Sequence, residues 1–234
     1  MKKLILTGWG WKDYAFAAAL ALRHHQEADI LGMSTRRLPE FLDEVKGYRE
    51  IIILGVGLGG NPPLLEKALA KLSASKTKVV WISALPLPRS VGEGIRSRIE
   101  HHVQEGADGI TDAVSRCYGI EIGDMAQFLQ EGNPTASAKQ LHLLLDAAMY
   151  MYRNYQDEAA YANAIRHIAN GDGEEQWTGA EVKMVAHYLR YGSRELVGKS
   201  PAIQKLLERI SLVAVRDHAR VLIHGETGTG KETV

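Results

Sequence analysis

The chain has 234 residues with 28 basic and 28 acidic side chains, so its formal net charge is zero, and no global field recruits nucleic acid or an anionic membrane. A hydrophobic fraction of 45% and a charged fraction of 24% are those of an ordinary globular protein. The single cysteine, Cys117, rules out an intrachain disulfide, argues against a cysteine-based zinc centre and fits a reducing cytoplasm.

The start, MKKLILTGWGW, is basic, but its apolar run is too short for a secretory leader and a first strand explains it better. No window approaches the roughly 18 apolar residues of a membrane span. KLILTGWG predicts a short buried strand ending in glycine, and DYAFAAALALRHHQ a helix with basic residues at its end, where they complement the helix dipole. ADILGM predicts a second strand. RRLPEFLDEVKGY predicts a helix with Pro39 near its first turn, where proline is tolerated. EIIILGVGLGG is the clearest strand, NPPLLEKALAKLSAS the next helix and TKVVWISALPLP another strand running into prolines. Alternating strands and helices with short loops and continuous apolar strands predict a doubly wound parallel α/β sheet covered on both faces.

From residue 89 to 132 the pattern stays helical: SVGEGIRSRIEHHVQEG, GITDAVSRCYGI and EIGDMAQFLQEG are helix candidates. Helices are also expected over 136–155, 158–171, 179–192 and 201–217, with a connector at 193–200 and a strand, RVLIH, near the end. The expected division is an α/β domain over 1–134, a helical extension over 135–193 and the start of a further domain over 194–234.

That last strand runs into Gly225-Glu226-Thr227-Gly228-Thr229-Gly230-Lys231-Glu232, which has the spacing of a Walker A loop. Glycines let successive backbone N–H groups turn inward around phosphates, and the lysine adds positive charge. Residues 195–232, with LVGKSPAI and GETGTGKE, closely resemble the entry to the AAA+ domain of sigma-54-dependent transcriptional activators. In that family Glu is normal at the position of Glu232. The resemblance implies an ATPase that uses ATP and magnesium, with sigma-54 RNA polymerase and enhancer DNA as partners, in the cytoplasm and as a homo-oligomer. It also implies that the magnesium-holding carboxylates, the sigma-54-contacting loop and the arginine fingers follow the segment seen here. This chain alone is therefore expected to hold no cofactor and not to complete ATP hydrolysis.

In the α/β region, the exits LTGWGWKDYAFAAAL (6–20), IIILGVGLGG (51–60) and VVWISALP (79–86) resemble the DHH phosphoesterases in frame and spacing. RRLPEFLDEV and GADGITDAVSRCYGI extend the resemblance over about residues 1–130. The family's metal ligands are replaced: its first histidine by Gly8, its two aspartates by Gly10 and Lys12, its second-motif aspartate by Gly55, and its Asp-His-His by Ser83, Ala84 and Leu85. Hydrolysis with two metal ions about 4 Å apart needs those carboxylates and imidazoles. The resemblance thus implies a catalytically inactive DHH-like regulatory domain.

In open α/β sheets, ligands bind beyond the carboxyl ends of the strands. Gly8, Lys12, Gly55, Gly57, Ser83 and Arg89 are the candidate cleft residues. With a lysine in place of an aspartate, the cleft is expected to accept a phosphate-bearing small molecule or a short oligonucleotide without metal. Lys12, Arg36, Arg37 and Arg89 each read as solvated surface charges before ligand contacts. The paired histidines, His24-His25 and His101-His102, point about 100° apart on a helix and share an ion poorly. Trp9 and Trp11 read as lid or core residues before a base-stacking platform. Two other readings stand beside the sensor: an active phosphoesterase with a diverged motif, and a purely structural dimerisation module.

Overall fold

The computed structural model describes residues 2–57, 61–87, 91–123, 135–192 and Lys205. Five strands form one sheet: β1 (Lys2–Thr7), β2 (Asp29–Gly32), β3 (Tyr48–Leu54), β4 (Lys78–Ser83) and β5 (Glu100–Val103). The order is β2-β1-β3-β4-β5, and every pairing is parallel. Nine helical segments are described with them: α1 (Lys12–His24), α2 (Leu38–Glu44), α3 (Pro62–Ala74), α4 (Glu93–Arg96), α5 (Ile110–Tyr118), α6 (Ala136–Tyr155), α7 (Glu158–Asn170), a 3-10 turn (Glu174–Gln176) and α8 (Gly179–Tyr191).

Both sheet faces are dry, which is why the strands read as unbroken apolar runs. On one face, Leu4, Leu6, Ile51, Ile53, Val79 and Trp81 pack against apolar residues of α2, α3 and α4. On the other, Ile5, Ile52, Leu54, Val80 and Ile82 are buried beneath α1, α5 and α7. The central helix of that face is α1, where Ala15 to Leu22 are buried without interruption. A helix that is apolar all round belongs in a core. Its alanines keep its waist narrow, so the sheet, α5 and α7 all reach it.

Helix ends follow local chemistry. Asn61 accepts from the Leu64 N–H and is followed by Pro62 and Pro63 at the start of α3. Thr135 caps α6 through Ala138, and Asp157 caps α7 through Ala160. Each satisfies a backbone donor that the helix leaves orphaned.

One expectation is corrected. The helix expected over 90–106 is the short α4 followed by strand β5. Glu100, His101, His102 and Val103 pair with Val80 to Ser83 of β4, and Lys78 joins Glu100 across the strands at 2.7 Å. The edge ladder and this ion pair override a weak helical pattern. The helices beyond residue 134 pack against the sheet unit. A single compact unit runs Met1–Val185, because α7 packs on α1 and β2, and α6 packs on α7. The second unit is Ala186–Val234, of which the end of α8 and Lys205 are described. The expected helix at 201–217, apart from Lys205, the strand RVLIH and most of 121–132 lie outside the described residues.

At the amino end of the sheet, His25 sits in a polar knot. Its Nδ1 lies 3.1 Å from Lys3 Nζ and its Nε2 3.2 Å from the Tyr118 hydroxyl, while Lys3 pairs with Glu50 at 2.6 Å. A neutral ring fits: one nitrogen accepts from the ammonium and the other donates. Burial first, then Lys3 and His24, push His25 down to about 4 from its ordinary 6.5. As pH falls through that window the unfolded chain takes up a proton that the folded chain refuses, so this contribution to stability is present above about 6.5 and is lost toward 4. Urea unfolding between those pH values should therefore show a shallower acid-side decline in His25→Asn than in the parent chain. Equal slopes would remove His25 from the account.

Candidate functional site: the carboxyl ends of β1, β3 and β4

The strand order reverses between β1 and β3, since β2 lies to one side of β1 and β3 to the other. Such a switch point is where an open α/β sheet presents its crevice. Register places Thr7 opposite Leu54 and Leu54 opposite Ile82, so the exits at Gly8, Gly55 and Ser83 stand side by side.

The crevice between the first two exits is filled from within by Tyr14. A Cβ added at Gly8 would lie 2.5 Å from the Tyr14 ring, and one added at Gly55 would lie 2.6 Å from it. The ring rests directly on two glycine backbones, a contact that any side chain there would block. Gly55 also has φ +63°, a left-handed conformation that glycine adopts at no steric cost. The backbone beneath is pinned: Thr7 is fully buried and its hydroxyl donates to the Tyr14 carbonyl at 2.8 Å.

Further aromatics close the β1–β2 side. Tyr161 is fully buried, and its hydroxyl donates to the Gly8 carbonyl at 2.9 Å. The Tyr152 hydroxyl donates to the Gly32 carbonyl at 2.9 Å. Their rings pack together at 5.7 Å, and Trp9 leans on Tyr152 at 5.2 Å. Trp9 is therefore a packing residue, whereas Trp11 is 70% exposed. These tyrosines come from α6 and α7, so the helical segment builds the floor of the site.

The expected cleft residues now have definite surroundings. Lys12 does not stand as a free cation above the exits; its ammonium lies 2.9 Å from Asp146 of α6, because α6 runs past the first turn of α1. A Cβ on Gly57 would make only ordinary contact with Thr35. Ser83 lies 2.8 Å from His101 Nε2, but its hydroxyl donates to the Leu85 carbonyl at 2.6 Å. His101 thus acts as donor, and the pair is not a base-activated nucleophile. Burial first, then Arg96 and His102, lower His101 below its ordinary value. Arg89 and the phosphate-loop residues Gly225 to Glu232 lie outside the described residues.

Asp13, adjacent to Lys12, carries a role that residue spacing did not reveal. Its carboxylate accepts from the N–H groups of Ile110 at 2.8 Å and Thr111 at 3.0 Å, while the Thr111 hydroxyl donates to the Asp13 carbonyl at 2.8 Å. It caps α5 from across the fold, an anion at a helix N-terminus. Gly109 permits this, since a Cβ there would meet the carboxylate at 2.8 Å.

Among the described residues, no cluster of three or more His, Cys, Asp or Glu could hold a metal ion. The exits do not fit a two-metal centre, because an aromatic ring takes the place of the ligands. A separate shallow cleft of about 390 Å³, with Lys76, Lys78, Arg98 and Glu100 among its lining, opens at the amino ends of β4 and β5. Lys78 and Arg98 are paired there with Glu100 and Glu66. No described helix is long and apolar enough to cross a membrane.

Gly8→Ala should destabilise the unit by about 1–3 kcal/mol, the usual cost of overpacking. Tyr14→Ala combined with Gly8→Ala should recover part of that loss. A double-mutant cycle of chemical unfolding measures the coupling, and strict additivity would contradict the contact.

Comparison with known proteins adds what lies C-terminal to this unit. Residues 196–234 match the Sigma-54 interaction domain. The transcriptional regulatory protein ZraR of Escherichia coli (strain K12) is 64% identical over 39 residues, 17% of this chain and 9% of that protein. ZraR of Salmonella typhimurium is 51% identical over 57 residues, 24% of this chain and 12% of that protein. The matched stretch thus spans about a tenth of the length of these relatives. The crystal structure of RecJ in complex with Mn2+ from Thermus thermophilus aligns over 92% of this chain and 37% of that one, at 12% identity and a TM-score of 0.39, a level that does not establish a common fold. Residues 196–234 are thus similar to the Sigma-54 interaction domain and to the matching stretch of ZraR.

Proposed function

We propose that residues 1–185 form a catalytically inert regulatory unit, a DHH-like domain without its metals, that governs an ATPase of the sigma-54 activator type. The observation that carries the reading is the Tyr14 ring seated on Gly8 and Gly55. At the switch point of the sheet, where a metal-dependent phosphoesterase needs carboxylates and open space, this chain offers an aromatic side chain and glycines. Lys12, placed where a ligand aspartate would stand, is tied to Asp146.

The ATPase side of the reading rests on Gly225 to Lys231. Backbone N–H groups of that loop would hold ATP phosphates and Lys231 would add its charge, with magnesium held by residues of the same domain further on. Sigma-54 RNA polymerase and enhancer DNA are the partners this implies, in the cytoplasm, acting as a homo-oligomer. The effector is a phosphate-bearing small molecule or short oligonucleotide. Its proposed place is the carboxyl end of the sheet, beside Gly57 and Ser83.

A second reading, a structural module that acts by geometry alone, is favoured by the same filled crevice. The two separate on ligand binding. With manganese, the chain should hydrolyse neither dinucleotides nor a generic phosphodiester. A thermal-shift screen of nucleotides and short oligonucleotides should find one that stabilises residues 1–185, with the shift reduced by Ser83→Ala. Turnover lost on mutation of strand-exit residues would overturn the inert reading. A screen with no shift at millimolar ligand would favour the structural module.

A further inference from the structure

Where the α/β unit passes into α8, three side chains form a bridge unrelated to the strand exits. His167, near the end of α7, has Nδ1 2.9 Å from Asp172 Oδ2 and Nε2 3.1 Å from Glu181 Oε1. The other Glu181 oxygen accepts from the Thr178 N–H at 2.7 Å and from the Thr178 hydroxyl at 2.8 Å. Thr178 in turn accepts from the Glu181 N–H at 3.3 Å. Thr178 and Glu181 are thus a capping box for α8, and His167 is fastened to its carboxylate. Glu181 is almost fully buried. Burial alone would raise its carboxyl, but the Thr178 hydrogen bonds and His167 hold it below its ordinary value.

A buried carboxylate is stable only while its partners stay in place. The cap that lets α8 begin therefore depends on a ring carried by α7. Helix α7 also supplies Tyr161, whose hydroxyl holds the Gly8 carbonyl at the switch point. One helix thus touches the strand exits through Tyr161 and the start of α8 through His167. Six positions separate these two residues on α7, and α8 ends at Tyr191, shortly before the matched segment opens at residue 196.

We infer that the Asp172–His167–Glu181 bridge is a latch that couples the strand-exit site to the first turn of α8. The inference rests on the regulatory reading above and names the route by which that regulation leaves the unit. Movement of α7 that draws His167 from Glu181 strands a buried carboxylate, which uncaps α8. The helix then frays from its first turn while the sheet stays intact. Met184 and Val185, buried on α8, keep it near the unit, so the latch changes the order of the helix rather than its attachment.

Amide hydrogen exchange on the whole chain tests this. His167→Gln should speed exchange of α8 amides about tenfold or more, since a hydrogen bond to a buried charge is lost, and leave β1, β3 and β4 at parent rates. Glu181→Gln keeps the capping geometry but removes the charge, and should give a smaller effect at the same amides. Unchanged α8 rates in both variants, or equal acceleration of the sheet, would overturn the latch. With a complete ATPase domain attached, His167→Gln should change the ATPase rate in the same direction as removal of residues 1–185. A changed rate on removal but none in His167→Gln would leave the regulatory reading standing and refute this route.

Discussion

The contact on which the rest of the α/β unit depends is the Tyr14 ring against two bare glycine backbones. It places an aromatic group at the one position where the strand order opens a crevice. Several features follow from it. Thr7 is buried because its hydroxyl anchors the Tyr14 carbonyl. Gly55 is left-handed because the chain must turn beneath the ring. Tyr161 closes the adjacent Gly8 carbonyl, which would otherwise be an unpaired acceptor in a dry site.

The same contact orders the neighbouring helices. Tyr14 lies in the first turn of α1, one residue after Asp13, so the residue that caps α5 and the residue that fills the crevice are fixed together. On the far side, α6 lends Asp146 to Lys12 and Tyr152 to Gly32. The Lys12 charge is matched within the protein, and the Gly8 and Gly32 carbonyls are met by tyrosine hydroxyls. The unit keeps the frame of a binding sheet with much of its crevice internally satisfied.

Much of this was legible in the residues. Continuous apolar strands separated by amphipathic helices pointed to the parallel α/β class, and the span of α6 was readable to the residue because Thr135 caps it and Leu and Ala keep its period. β5 was not, because Glu100, His101 and His102 carry no apolar alternation and gain their strand conformation from pairing with β4. Tyr14 was not, because its role depends on two glycines far apart in sequence that only the sheet brings together. Lys12 reads as a free charge for a similar reason: Asp146 lies 134 positions away, and nothing local announces the pair. The integration of α6 and α7 into the unit rests on packing against α1 and β2, joined by two tyrosine hydroxyls whose acceptors are backbone carbonyls.

The central claim is that residues 1–185 control an ATPase without performing chemistry of their own. Its most direct test is the steady-state rate of ATP hydrolysis by the chain joined to a complete sigma-54 interaction domain, compared with the same protein lacking residues 1–185. The account predicts that removing the unit changes the rate several-fold, and that Tyr14→Ala, which empties the crevice, moves it part of the way in the same direction. Identical rates with and without the unit would contradict it.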